Sequence, residues 1–279
     1  MPSTSPAEKS YPLAVAMLFA LAVLWSLSYT LTKIAVTTIP PITLTAIRAI
    51  IAGSLLLLIM KLQGAVLPRD WKIRRTLILQ SFLNSIIPFS LITWAQETVD
   101  VNIAVILSST SPIFAFFLTW AITRHEAATP LKLLGVIAGL AGVCMIVGAG
   151  ALAGIGKDLL AQLALLGAAL SYAFAAIVGR TFDGLDPIVP AACTISFATV
   201  VLVPASLLFE APFSIAPSQA SIVALLVLSV FSTSLAYIIY FWLLKAVGSI
   251  GATSQSYLRI PIGVFFGVIF LGETLLTST

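Results

Sequence analysis

The stretch GATSQSYLRIPIGVFFGVIFLGE, residues 251–273, is apolar enough to cross a membrane but has two unlike halves. Its second half is almost pure hydrocarbon. Its first half carries a run of polar and charged residues: Thr253, Ser254, Gln255, Ser256, Tyr257 and Arg259. The lipid interior offers no hydrogen-bond partners, so such a cluster must face water or another helix. The stretch therefore predicts a helix that forms one wall of a polar pathway.

Residues 101–126, VNIAVILSSTSPIFAFFLTWAITRHE, repeat this pattern. They contain a Ser/Thr cluster, a central proline, an apolar half rich in aromatic residues and a terminal glutamate, and Pro112 corresponds to Pro261. The preceding segments align as well, because Trp94 is followed 148 positions later by Trp242. A repeat of this length in a membrane protein predicts a duplicated transporter.

The composition is that of a polytopic membrane protein, with 60% hydrophobic and only 9% charged residues, where soluble domains have about 25% charged residues. A spanning helix needs about 20 apolar residues. Nine segments meet this requirement: 12–36, 41–61, 75–96, 101–121, 131–149, 158–180, 187–209, 218–245 and 249–271. The connections are short, so we predict no soluble domain, and residues 1–11 are predicted to form a short cytoplasmic tail.

The loop charges predict the orientation, because Lys and Arg are concentrated on the cytoplasmic side of membranes. With the N-terminus inside, ten of the 14 basic residues are cytoplasmic. A unit of five helices has an odd number of spans, so its second copy must cross in the opposite sense. We predict an all-α fold of inverted 5+5 helix repeats, the first over 12–150 and the second over 158–279. The second repeat stops after its fourth helix. Either the natural chain continues with a tenth helix beyond residue 279, which we favour, or the protein has nine helices.

The order of these motifs resembles the drug/metabolite transporter superfamily, EamA type. The resemblance is carried by LWSLSYTLTKIA at 24–35, LTAIRAIIAGSLLLL at 44–58, and the segments 103–148 and 251–273. Within that superfamily the chain looks like the YddG-type bacterial exporters of aromatic and neutral amino acids. The resemblance implies a carrier of the bacterial inner membrane. One departure is Arg124-His125-Glu126, where the family usually has Gly-Glu.

Polar residues recur at helical spacing in several spans, and we expect these stripes to converge on a central substrate cavity. A single Ser or Thr is more often a site of close helix packing, but the stripes together favour a cavity. The candidate cavity residues are Trp25, Tyr29, Asn84, Ser108, Ser111, Tyr172, Ser232, Tyr237, Gln255, Tyr257 and Arg259.

Three prolines in these spans are candidate hinges for alternating access, because each removes a backbone donor and loosens its helix. They are Pro88, Pro112 and Pro261. The fifth span instead has small residues on one side, Gly135, Gly139 and Gly142, and no polar stripe. This spacing favours close helix contact. The protein is therefore predicted to be a monomer or a homodimer.

Three cations fall within spans. Lys33 is close enough to a helix end to extend towards the membrane surface. Arg259 lies near the midplane, where a guanidinium is costly unless it meets water, an anion or a carbonyl. It either attracts a substrate carboxylate or bonds helix-end carbonyls. Arg48 lies about a third of the way in from the outer face, and there we favour the structural role.

All ten acidic residues lie at or near helix ends, and the one histidine, His125, lies at a cytoplasmic end. A proton-coupled carrier commonly has a carboxylate or histidine at mid-depth. We therefore predict facilitated transport without an obligatory proton step. No HExxH, GxSxG or P-loop motif occurs, so we predict no catalytic residues, no cofactor, no metal site and no nucleic-acid partner.

Aromatic residues with scattered hydroxyls suit a substrate with an apolar side chain and a polar end, such as an aromatic or large neutral amino acid. The alternative is a multidrug or metabolite exporter for amphipathic small molecules, since the same cavity could hold them. A cavity without an acidic residue is less suited to cationic drugs.

Overall fold

The computed structural model describes residues 6–123, 129–131, 133–135, 137–138 and 158–272. Most of the predicted fifth span, 131–149, lies outside these residues, as do His125 and Glu273. The packing role predicted for Gly139 and Gly142 likewise falls outside the described part of the chain.

The described residues form helices joined by short turns, and no strand occurs among them. In chain order the α-helices are α1 Pro6–Val36, α2 Pro41–Leu62, α3 Trp71–Ser81, α4 Ile87–Ala95, α5 Val101–Ser108, α6 Ser111–Leu118, α7 Leu159–Gly179, α8 Ile188–Phe209, α9 Gln219–Ser229, α10 Ala236–Thr253 and α11 Gln255–Leu271. Three π turns extend or connect them: Phe82–Ile86, Thr119–Thr123 and Val230–Leu235.

Seven helical segments of the described chain are long and apolar enough to cross a membrane. The first six correspond to predicted spans, with ends that differ by a few residues, and the seventh covers the predicted span 218–245 and continues into the start of the next. Their bounds are Pro12–Val36, Pro41–Leu62, Trp71–Ala95, Val101–Ala121, Leu159–Phe182, Ile188–Phe209 and Gln219–Thr253, and Gln255–Leu271 is a shorter apolar helix. The count of nine spans stays a prediction.

The boundary predicted between the last two spans coincides with a break in the backbone at Gly248. Its φ of 77° and ψ of −179° are not helical and interrupt α10. A positive φ is strained for residues with a Cβ and easy for glycine. The helix therefore breaks at Gly248, between the eighth and ninth predicted spans. The polar residues of the ninth span follow this break.

Two of the three π turns stand at related places in the sequence. Phe82–Ile86 joins α3 to α4, and Val230–Leu235 joins α9 to α10. Phe82 and Val230 are 148 positions apart, the same separation as that of Trp94 and Trp242. This coincidence supports the predicted duplication, whose inverted arrangement stays a prediction.

Pro88 follows the first of these π turns and has no N–H to donate to the carbonyl of Asn84, four residues earlier. That carbonyl accepts a hydrogen bond from the Tyr237 hydroxyl at 2.5 Å. The Ser85 hydroxyl lies 2.9 Å from the same Tyr237 oxygen. A tyrosine of α10 thus takes the place of the missing backbone donor and ties the two π-turn helices together.

Replacing Tyr237 with phenylalanine is expected to lower the free energy of unfolding by about 1–3 kcal/mol, because it leaves the buried Asn84 carbonyl without a donor. Tyr240→Phe is the matched control, since the Tyr240 hydroxyl makes no hydrogen bond to a described residue. Adding Pro88→Ala to Tyr237→Phe restores an N–H and should recover part of the loss. Equal destabilisation by Tyr237→Phe and Tyr240→Phe in thermal unfolding would contradict this account.

The two segments that share the polar-then-apolar pattern pack against each other, α5 against α11. Gly263 allows the close approach, because a Cβ there would lie 2.9 Å from Cγ2 of Val105. At the start of α6, the Ser111 hydroxyl oxygen lies 3.3 Å from that of Ser256 on α11. The helices predicted to carry the pathway are therefore neighbours.

Candidate functional site: two polar compartments around Arg259

Two small compartments lie side by side within the bundle, and both are lined by Trp25, Tyr172 and Arg259. We call these three residues the dividing layer. The amide compartment is completed by Asn84, Ser111, Tyr240, Thr253, Gln255 and Ser256. The Arg48 compartment is completed by Ser28, Tyr29, Thr32, Arg48, Phe89, Ile92, Gln96 and Tyr237.

Aromatic rings hold the dividing layer in place. The rings of Trp25 and Tyr172 stack with centroids 6.5 Å apart and an interplanar angle of 22°. Trp25 also contacts Tyr240, at 5.3 Å between centroids. The guanidinium carbon of Arg259 lies 5.6 Å from the Trp25 ring centre, within the range of a cation–π interaction. A flat aromatic pair and one cation therefore separate the compartments.

Arg259 is buried, with 4% of its surface exposed. Its Nη2 donates to the Ser256 hydroxyl at 2.5 Å, and its Nη1 donates to the Tyr29 hydroxyl at 3.3 Å. Its Nε has no hydrogen-bond partner, and no carboxylate of the described residues pairs with it. Neutral hydroxyls compensate a buried positive charge only in part, so an anion would be stabilised here.

The amide compartment also contains hydrogen-bonding groups with no partner among the described residues. Both side-chain polar atoms of Asn84 and the side-chain oxygen of Gln255 are buried and unbonded. Buried polar groups are nearly always hydrogen-bonded, so atoms of this kind on a cavity wall are expected to bind water or a ligand. Amide oxygens accept hydrogen bonds and suit an ammonium group, while Arg259 suits a carboxylate.

Arg48 occupies the second compartment, where its guanidinium stacks 3.8 Å from the centre of the Phe89 ring. Its Nε donates to the Thr233 hydroxyl at 2.7 Å. The structural role that we favoured for Arg48 involved backbone carbonyls, but its observed partners are a side-chain hydroxyl and an aromatic ring. Lys33 donates to the carbonyls of Gln96 and Val99 at 2.8 and 3.1 Å, in the turn between α4 and α5, and its extension towards the membrane surface stays a prediction.

In each compartment, the centre of a water molecule can occupy a volume of about 20 Å³. This is room for about one water. A molecule as large as an amino acid can bind only when the walls move apart. Pro88 and Pro112 are well placed for such movement, since Pro88 follows a π turn and Pro112 follows the break at Ser109 and Thr110 between α5 and α6. Pro261 lies inside α11.

The structure brings most of the predicted cavity residues together. Eight of the eleven line one compartment or both: Trp25, Tyr29, Asn84, Ser111, Tyr172, Tyr237, Gln255 and Arg259.

Three of the predicted cavity residues line neither compartment. Ser108 and Ser232 are fully buried, and their hydroxyl oxygens have no hydrogen-bond partner among the described residues. Tyr257 packs partly buried against an apolar cluster that includes Val264. Helical spacing alone did not distinguish these residues from their neighbours that reach the cavity.

Sequence reasoning missed several lining residues. Phe89 and Ile92 gave no signal, since apolar and aromatic residues are common throughout membrane helices. Tyr240 lay on the polar stripe of the eighth predicted span but was not chosen from it. Thr253 and Ser256 lay on the polar stripe of the last predicted span and could have been chosen from it. Arg48 is an ionisable residue within a span, which is a strong indication of a functional site. We nevertheless predicted a structural role for it.

The acidic residues of the described chain stand outside both compartments, at helix ends. Asp158 begins α7 and accepts hydrogen bonds from the Thr98 hydroxyl and the Ala161 N–H, which lower its pKa. Glu97 has its pKa raised by partial burial and by the negative charge of Glu210. None of these groups is placed to exchange a proton with a bound substrate.

A bundle of apolar, membrane-length helices that encloses polar and charged side chains is typical of a membrane transporter. The chain belongs to the EamA-like transporter family, whose sequence model matches residues 12–148 and again residues 159–279. It is therefore a multi-pass membrane protein and a member of the drug/metabolite transporter superfamily.

Two relatives and one solved structure give the extent of the similarity. The chain is 28% identical over 260 residues to the uncharacterized inner membrane transporter YedA of Escherichia coli K12, covering 92% of this chain and 83% of that one. It is 26% identical over 258 residues to the uncharacterized transporter YoaV of Bacillus subtilis, covering 92% and 88%. One crystal structure superposes with a TM-score of 0.74 at 19% identity over 96% of this chain and 90% of that chain, a likeness of fold.

Proposed function

We propose that this transporter carries aromatic and other neutral amino acids out of the bacterial cytoplasm across the inner membrane by alternating access. The observation that carries the proposal is Arg259, a buried cation with an unbonded Nε and no carboxylate partner in the described chain. A substrate carboxylate would supply the missing negative charge. The N-terminus is proposed to be cytoplasmic, as the loop charges predict.

The remaining groups of an amino acid have counterparts nearby. The unbonded amide oxygens of Asn84 and Gln255 suit the α-ammonium group. The rings of Trp25, Tyr172 and Tyr240 offer an apolar surface for the side chain. A cationic drug is less suitable for these compartments, because the one formal charge that they share, on Arg259, is positive.

Transport is proposed to be facilitated diffusion or exchange. The described acidic residues all lie at helix ends, so the described spans contain no carboxylate that could relay a proton across the compartments. Binding and release of the substrate carboxylate then leave every charge of the protein unchanged.

The first test is uptake of labelled phenylalanine, threonine and methionine into proteoliposomes that contain the full-length protein. We expect saturable flux that equilibrates but does not accumulate substrate, with the same initial rate in the presence and absence of an imposed pH gradient. Accumulation driven by the gradient would refute the uncoupled mechanism. Failure to carry any amino acid, with amphipathic dyes moving instead, would favour a multidrug exporter.

A further inference from the structure

We infer that Arg48 is a second carboxylate-binding residue of this transporter, in the compartment on the far side of the dividing layer from Asn84 and Gln255. The inference rests on the proposed function in one respect, that the carried molecule bears a carboxylate. It adds a binding group in a different compartment and on a different helix, α2.

The hydrogen bonds of Arg48 leave most of its donors free. A guanidinium has five N–H groups, and in Arg48 only the Nε–H has a partner, the Thr233 hydroxyl. The terminal nitrogens make no hydrogen bond to a described residue, although only 5% of the surface of Arg48 is exposed. Two parallel N–H groups on such a fork match the two oxygens of a carboxylate.

The charge of the compartment favours the same ligand. Arg48 and Arg259 both line it, and none of its lining residues is acidic. A purely structural role would be complete with the Thr233 hydrogen bond and the Phe89 stacking, and it would not explain why Arg48 lines a cavity while its remaining donors have no described partner. An ionised carboxylate would satisfy them and reduce the net positive charge.

The two arginines then serve the same substrate group in turn. A carboxylate that leaves Arg259 for the far compartment would lose its counter-charge in a poorly solvated interior, at high cost. Because Arg48 and Arg259 line the same compartment, the carboxylate can pair with Arg48 as it separates from Arg259. Passage across the dividing layer thus never requires an unpaired carboxylate.

Binding of benzoate to the purified full-length protein tests the inference without requiring transport. Benzamide is the neutral control with the same shape. We expect benzoate, but not benzamide, to raise the melting temperature, and we expect Arg48→Gln to raise the midpoint of the benzoate titration at least about tenfold. Arg48→Lys keeps the positive charge but lacks the two parallel N–H groups of a guanidinium. Its benzoate titration should have a midpoint between those of the wild type and Arg48→Gln.

A structural role for Arg48 is tested by Thr233→Val, which removes the Nε contact and leaves the terminal donors in place. This variant should bind benzoate as the wild type does. The inference is overturned if Arg48→Gln or Arg48→Lys titrates like the wild type, or if Thr233→Val reproduces the loss. If Arg48→Gln does not fold, the comparison of Arg48→Lys with Thr233→Val decides the question.

Flux measurements separate this inference from the proposed function. If the wild type carries no amino acid but its benzoate binding depends on Arg48, the proposed function fails and the inference stands. If phenylalanine is carried and Arg48→Gln changes neither its flux nor benzoate binding, the inference fails and the proposed function stands.

Discussion

Replacing Arg259 with methionine is expected to abolish amino-acid flux while leaving the melting temperature of the purified protein unchanged or higher. Two charge-assisted hydrogen bonds to a carboxylate would be lost, which lowers apparent substrate affinity by on the order of 100-fold. The folded protein loses a buried cation whose Nε is unbonded and whose partners are two neutral hydroxyls. Replacement of poorly compensated buried charge by apolar groups is often neutral or stabilising.

The two readouts together distinguish a binding role from a structural one. Arg259→Lys retains the charge and should keep part of the flux. Lys245→Met removes an exposed cation of α10, outside both compartments, and should transport like the wild type. A large fall in the melting temperature of Arg259→Met, in parallel with lost flux, would mean that Arg259 mainly holds the helices together.

The second large effect is expected on stability, at the crossing of α5 and α11. Gly263→Leu should lower the free energy of unfolding by about 3 kcal/mol, towards the upper end of the range for overpacked cores. Even a Cβ at this position would lie 2.9 and 3.1 Å from the two methyl carbons of Val105. Val105 is fully buried and β-branched, so its side chain has little freedom to move aside.

Two alanine substitutions give a matched comparison for this prediction. Gly263→Ala should destabilise the protein, whereas Gly167→Ala on α7 should stabilise it by up to about 1 kcal/mol through helix propensity. The Cβ at Gly167 would make an ordinary contact with Leu91, at 3.6 Å. Adding Val105→Ala to Gly263→Ala should restore much of the loss. Equal effects of the two glycine substitutions in thermal or denaturant unfolding would contradict the close crossing.

Transport should respond to the same crossing. Helix α11 carries both Arg259 and Gly263, so a substitution that pushes α11 away from α5 also displaces the guanidinium from Tyr29. We expect Gly263→Leu to reduce flux as well as stability, and Val105→Ala to recover part of both. Recovery of stability without flux would indicate that the position of Arg259 is set elsewhere.

Sequence reasoning located the helices well, because the physics that defines them is local. Six predicted spans correspond to helices of the described chain with ends within a few residues, and a seventh helical segment covers the predicted span 218–245 and the start of the next. The break near residue 248 was placed by the polar residues that follow it, and the glycine there has a positive φ. By contrast, no sequence pattern predicted the three π turns, of which only Phe82–Ile86 lies beside a proline, Pro88.

The candidate site was predicted less completely. Polar stripes indicated the correct helices, and Trp25, Tyr172 and Arg259 meet as the dividing layer. The same reasoning chose Ser108 and Ser232, which are fully buried but line neither compartment. It also predicted a structural role for Arg48, although that residue lines the same compartment as Arg259.

By itself the sequence determined that this protein is an all-helical membrane transporter with a polar interior, because hydrocarbon requires each backbone to satisfy its own hydrogen bonds and each charge to find a polar surface. Only the tertiary structure decided which polar side chains share a compartment. Adjacent residues point about 100° apart around a helix, so small changes in helix rotation, set by contacts such as Gly263 on Val105, decide whether a serine faces the cavity or a neighbouring helix.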